Sequence, residues 1–316
     1  MDFLDSQQVS AKSLESVDFE LFVAVSGNEY RCTYLAEKLS LAARHKVVLA
    51  STEKSKDSIR KKNDKYFRTE SFNCLEISGN QNDKLKLFLK DHFAVTEKKS
   101  LNLLIDYSCM TKTWYASIIN VLQEMESKVN EIKVYFAYTP VKYEEAIKSR
   151  SIKKIESGFS PGNLSPSKPT ALIIGLGIEK STVEHIIKYL QPDLTILMYS
   201  DPAIDDRYTQ AIFHTNQDLI HKMDARNLIN YPLTDANAIN EILTSKCVEL
   251  RLFYNIVIAP LGPKVFALNA YLLSNRYPDI FVWDIGPELQ DKGVKYLPSG
   301  ELVVQKVTFV NEEEDF

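Results

Sequence analysis

The feature that most constrains this chain is an internal repeat. FVAVSGNEYRCTYLAEKL opens at Phe22, and LIIGLGIEKSTVEHIIKYL opens about 150 residues later at Leu172. Each reads as an apolar strand, a tight glycine turn carrying Gly-x-Glu (Gly27 and Glu29; Gly177 and Glu179), then an amphipathic helix. A second pair follows the first. LNLLIDYSCMTKTWYASIINVL and YNIVIAPLGPKVFALNAYLL each read as a buried strand, a short loop ending in lysine (Lys112, Lys264) and a helix. Repetition at this length is one domain doubled, not a solenoid of short units. Two matched loops per copy mark a ligand site.

In the first copy, short β-branched runs predict strands at 21–25, 46–50, 72–77, 101–106 and 132–138. Helical spacing predicts helices near 30–43, 83–92 and 113–128. In the second copy the predicted strands are 171–174, 194–199, 227–231, 255–259 and 280–283, and the helices 182–190, 208–223, 236–250 and 265–275. Strands alternating with helices predict parallel sheets with crossover helices. The fold class is therefore α/β, with two tandem Rossmann-like parallel-sheet units forming a pseudo-dimer. Residues 1–16 read as a tail, 17–150 as unit 1, 151–169 as a linker rich in Pro, Gly and Ser, and 170–316 as unit 2. The stretch VKYLPSGELVVQKVTFV predicts a short C-terminal β-hairpin around Pro298-Ser299-Gly300, and NEEEDF a frayed end.

Bulk properties remove whole classes of function. A net charge of −4 gives no global attraction to nucleic-acid polymers or anionic membranes. No apolar run reaches the ~18–20 residues that span a bilayer, and the acidic, polar start has no secretory core. The four cysteines (Cys32, Cys74, Cys109, Cys247) show no zinc or disulfide spacing. A reduced, cytoplasmic setting is the expectation. The basic stretch from Lys54 to Arg68 can contact phosphates, but its interleaved acids fit a solvated helix face or loop better.

Doubly wound sheets bind ligands beyond the carboxyl ends of their strands, where strand order reverses. For a 3-2-1-4-5 order that point lies between the first and fourth strands, which carry the two repeated loops. Ser26, Gly27, Asn28 and Glu29 are then expected to face Ser108, Cys109, Met110, Thr111 and Lys112. In the second copy, Gly177 and Glu179 are expected to face Gly262, Pro263 and Lys264. Glycine lets backbone N–H groups approach a ligand, and a following helix N-terminus favours negative charge. Hydroxyls and a lysine add donors, so the expected ligand is a nucleotide-like anion. Glu29 and Glu179 can accept from such a ligand or cap their own helices.

Other motifs point to no cofactor and no metal. GLGIEK starts like a dinucleotide fingerprint, but Lys180 stands where its third glycine belongs. There is no Gly-Lys-Ser/Thr phosphate loop and no Gly-x-Ser-x-Gly elbow. Cys109 has no histidine nearby in sequence and reads as an inert thiol. His214 and His221 lie about 10 Å apart along one predicted helix, too far to share an ion. Asp201-Pro202 suits a turn better than a ribose contact. Trp114 and Tyr115 suit the core better than base stacking.

At these loops the chain resembles the CRISPR-associated Rossmann fold (CARF) domains and the related SAVED domains. That family's second motif, an acidic residue, a short loop and a lysine before a helix, is similar to Asp106-Tyr107-Ser108-Cys109-Met110-Thr111-Lys112. The second copy, Ala259-Pro260-Leu261-Gly262-Pro263-Lys264, lacks the acid. The first motif is similar to Ser26–Glu29 and to Gly177–Glu179. The resemblance implies recognition of a cyclic oligonucleotide in prokaryotic antiviral defence. It also implies a protein partner carrying the effector activity, since no effector domain is evident here. Two readings compete with a binding module of this kind. One is a transferase or hydrolase acting on a nucleotide or phosphorylated metabolite, with Ser26, Glu29, Asp106 and Lys112 supplying acid, base or charge. The other is a non-catalytic scaffold subunit of a multi-protein complex.

Overall fold

Apolar runs and amphipathic segments alternate along the chain, and they fold as two separate βα series. The computed structural model describes residues 1–52, 55–78, 82–94, 96, 98–124, 129–144, 164–283 and 295–311. Strand β1 (Asp2–Val9) and a 3-10 turn (Ala11–Ser16) lead into β2 (Phe19–Ser26). There follow α1 (Tyr34–Lys38), β3 (Ala43–Ser51), α2 (Ser58–Thr69), β4 (Asn73–Ile77), α3 (Asn82–Ala94), β5 (Ser100–Asp106), α4 (Lys112–Glu124) and β6 (Glu131–Tyr138). The second series is β7 (Thr170–Gly175), α5 (Lys180–Leu190), β8 (Leu194–Ser200), α6 (Asp206–Ile220), β9 (Leu228–Tyr231), α7 (Ala236–Leu250), β10 (Asn255–Pro260), α8 (Lys264–Arg276) and β11 (Ile280–Val282). Strand β12 (Val303–Val310) closes the chain. Among the described residues no helix is long and apolar enough to cross a membrane. Lys54, the helix end at 125–128, linker residues 151–163 and the last residues, 312–316, lie outside the described residues.

The two series share one strand order. Within the first sheet the parallel strands run β6-β5-β2-β3-β4, and the second sheet runs β11-β10-β7-β8-β9. Counted from β2 in the first sheet and β7 in the second, both are the 3-2-1-4-5 order expected from sequence. The registers put Val23 between Val47 and Ile105 in the first sheet, and Ile173 between Ile196 and Ile258 in the second. Strand β2 is buried along all 8 residues, as a parallel strand covered on both faces must be. Phe67 of α2 packs edge-on against Phe72, which packs edge-on against Phe22, so α2 is held on the sheet beside β2.

The ends of the chain differ from the sequence expectation. Residues 1–16 are not a tail, since β1 pairs antiparallel with β12 over most of its length. A register shift between Phe3 and Asp5 leaves Leu4 exposed. The polar make-up that suggests a mobile arm is what an edge strand tolerates. The C-terminal hairpin does not form. Strand β12 instead lies antiparallel between β6 and β1, with Val307 opposite Val134 on one side and Ser6 on the other. An isolated two-stranded hairpin is marginal in water, whereas the open edge of β6 offers a sheet already built. The Pro298 segment bridges Val141, the Lys142 N–H donates to the Leu297 carbonyl at 2.8 Å, and the Ser299 N–H to that of Pro140 at 2.9 Å.

The compact units are therefore 1–142 with 295–316, and 143–294. The second unit is inserted in the sequence of the first rather than following it. The first predicted helix is also short. A 3-10 turn (Tyr30–Thr33) and α1 replace it, because Ala43 already pairs with Phe19 in the sheet.

Candidate functional site

Because β2 and β5 are neighbours, the loops that follow them emerge side by side. A Cβ placed on Gly27 would lie 3.9 Å from the Cys109 Cβ, so the two predicted loops of unit 1 do face each other. In unit 2 they touch through the backbone. The Gly262 N–H donates to the Gly175 carbonyl at 2.7 Å, and a Cβ on Gly262 would sit 2.6 Å from the Leu176 carbonyl oxygen. Only glycine permits that approach.

The floor of the first crevice is filled by its own side chains. The Ser26 hydroxyl donates to Asp64 Oδ1 at 2.6 Å, and the same oxygen accepts from Arg60 Nε at 2.8 Å. Arg60 Nη1 continues to the Ser51 carbonyl at 2.7 Å. Asn63 Nδ2 donates at 2.9 Å to the carbonyls of both Gly27 and Glu29. Residues 60, 63, 64 and 67 share one face of α2 by their spacing. Asp57 caps that helix by accepting from the Ile59 and Arg60 N–H groups. The basic stretch is thus a solvated helix on one side and the clamp of the loop on the other.

Across the crevice, Ser108 donates from its N–H at 3.0 Å and from its hydroxyl at 2.5 Å to Asp106 Oδ1. Its hydroxyl oxygen accepts from the Thr139 N–H at 2.8 Å. Glu29 makes no capping bond. It accepts from Arg31 Nε at 2.6 Å, while Arg31 Nη1 donates to the Thr139 carbonyl at 2.7 Å. The Arg31 guanidinium also lies 5.7 Å from the Tyr138 ring centre. Burial works against its charge, but Glu29, Cys109 and Tyr138 outweigh burial and hold it well above the ordinary arginine value. Burial pushes the Cys109 thiol well up, with contact from Cys32 and the Glu29 charge adding to it, so Cys109 stays protonated.

The sequence-selected residues thus divide into floor and rim. Ser26, Glu29, Ser108 and Met110 are buried, whereas Gly27, Asn28, Cys109, Thr111 and Lys112 stay partly exposed. In unit 2, Glu179 is buried and folds back over Gly177, and it makes no capping bond, whereas Gly177, Gly262, Pro263 and Lys264 keep partial exposure. Lys112 is the first residue of α4 and Lys264 the first of α8. Trp114 and Tyr115 are core residues, exposed by 2% and 0%.

Sequence reasoning missed a second matched pair. Asn216 of α6 donates to the Gly177 carbonyl at 3.0 Å, as Asn63 of α2 does to that of Gly27. In each unit an asparagine from the second helix grips the first glycine turn. The available signal was one asparagine per copy in the helix after the second strand. The partner of Glu29 was also missed, because Arg31 stands two residues away on an irregular turn. Two cavities of about 450 and 520 Å³ open elsewhere, around the amino ends of β2 and β3, and are lined in part by Leu41, Ala42 and Lys46.

Fold and loops together define a protein with two Rossmann-like sheets whose five parallel strands share one order, each with a glycine turn and a lysine-led helix at its switch point. No protein-family model and no curated protein matches the chain.

Proposed function

We propose that this chain is a binding protein for a nucleotide-like anion, with its site on the rim of the unit 1 crevice at Gly27, Asn28, Thr111 and Lys112. The observation that carries this reading is the paired placement of Lys112 and Lys264. Each opens the helix after the fourth strand, beside the glycine turn after the first. A cation in the first turn opposes the helix dipole, and an anion held between that lysine and the turn offsets the repulsion. The acids that a hydrolytic reading needs are engaged inside the protein, Glu29 on Arg31 and Asp106 on Ser108. That favours binding over turnover.

The backbone contact of Gly262 with Gly175 supports a second unit whose own crevice is closed. It also fits the scaffold reading, in which the second copy keeps its fold without binding. The likeness to CARF and SAVED domains makes cyclic oligonucleotides the first ligands to try, and sensing on behalf of an effector partner the proposed role.

The test is native mass spectrometry of the purified chain, followed by thermal shift against mononucleotides, dinucleotides and cyclic oligonucleotides. Ligand at 100 times Kd adds about 2.7 kcal/mol. Lys112→Ala is expected to remove the shift and Lys264→Ala to leave most of it. A bound ligand whose shift survives both substitutions places the site elsewhere. No binding across the panel leaves the scaffold.

A further inference from the structure

We propose that Cys32 and Cys109 form a reversible intramolecular disulfide that staples together the two loops of the first crevice. The residues are far apart in sequence and arrive from different elements. Cys32 sits in the 3-10 turn after β2 and is 2% exposed, while Cys109 lies on the loop after β5 and is partly exposed. Both press on the same glycine. A Cβ on Gly27 would meet the Cys32 Sγ at 3.1 Å and the Cys109 Cβ at 3.9 Å. Both side chains thus reach the same point beside Gly27, and the Cys109 S–H donates to Glu29 Oε2 at 3.8 Å. The other two cysteines serve as internal references. Cys74 is exposed, and Cys247 is buried in α7 with its thiol pushed up to about 12 by burial.

The reaction is exchange with a small disulfide of the oxidised glutathione class. The more accessible Cys109 attacks one of its sulfurs as thiolate, a Cys109–glutathione bond forms, and the first glutathione leaves as thiolate. The Cys32 thiolate then attacks the Cys109 Sγ, and the second glutathione leaves. The protein pair loses two electrons, the small disulfide gains them, and the two protons from Cys32 and Cys109 end on the released thiols. Because Cys109 is held protonated, the exchange is slow, which suits sustained disulfide stress rather than rapid peroxide sensing. The staple joins the turn after β2 to the loop after β5 and withdraws the S–H donor from Glu29. It does not depend on the ligand reading, and its test reads a covalent bond.

The full chain is incubated with oxidised glutathione until Cys74 is fully modified. Remaining thiols are alkylated in denaturant, and peptides are mapped without reduction. A Cys32–Cys109 cross-linked peptide is expected, with Tm raised on the order of 5 °C and both changes reversed by dithiothreitol. In Cys32→Ser, Cys109 is expected to retain a glutathionyl adduct. In Cys74→Ser, with the same incubation time, the cross-link is expected unchanged. Recovery of Cys109 as alkylated thiol, or of a glutathionyl adduct without the cross-link in the unsubstituted chain, overturns the proposal.

Discussion

Replacing Arg31 by methionine tests how the first crevice is built. The Arg31 side chain is 6% exposed and that of Glu29 10%, with the ion pair at 2.6 Å. Methionine keeps much of the apolar volume but leaves the Glu29 carboxylate in a dry site with its strongest donor gone. Breaking a buried pair in this way costs about 3–5 kcal/mol, because the stranded charge keeps its desolvation penalty. Removing both partners, as Glu29→Gln with Arg31→Met, is expected to cost at least 2 kcal/mol less than Arg31→Met alone, since no buried charge remains. The chain has two tryptophans, Trp114 in unit 1 and Trp283 in unit 2. In a Trp283→Phe background, fluorescence during urea unfolding therefore reports on unit 1. The reasoning fails if Arg31→Met costs under about 1 kcal/mol, or if the double variant is as unstable as the single. Either result would mean that Glu29 does not depend on Arg31.

Two further outcomes use the same probe. Ending the chain at Leu302 removes β12 from between β6 and β1. Trp114 is then expected to report an unfolded unit 1, whereas deleting residues 1–9 takes away only an edge strand and is expected to be milder; equal damage from the two truncations would contradict the sheet order. Glu20 is a buried carboxylate. Burial opposes its charge, but Lys98 Nζ at 2.6 Å, helped by Arg44, lowers its pKa below the usual value. A lowered folded value gives stability that is present above the unfolded value of about 4.3 and lost as pH falls through the folded one. Glu20→Gln is expected to flatten the unit 1 stability profile below about pH 4.3, and an unchanged acid limb would count against the pairing.

Strand order was legible because a regular βα alternation leaves few topologies, and the two glycine turns marked where the order reverses. Partners were less legible than elements. The run from Val303 reads as a strand by its β-branched residues, yet nothing local says that it pairs with Val134 and Ser6 rather than with a hairpin mate. Strand β1 was hidden because Asp2, Asp5, Gln7 and Gln8 are compatible with an edge and with disorder alike. In the crevice, Lys112 and Gly27 were found by repetition. Arg60, Asn63 and Asp64 were not, because a helix rich in charge looks the same whether its inner face meets water or a loop. Met110 and Ser108 fell inside the motif but point into the protein, a distinction set by packing.

The nested arrangement has a mechanical consequence. Asp2 and Val310 lie opposite one another at one end of an antiparallel pair, so a force applied between them peels the outer ladder one bond at a time instead of shearing it whole. The excursion from Tyr143 to Val294 leaves and returns beside the hydrogen-bonded Lys142 and Leu297. It hangs on the load path as a closed loop and bears no tension until that clasp has opened. Under stretch, then, the second sheet feels no pull while β12 holds its place against β6.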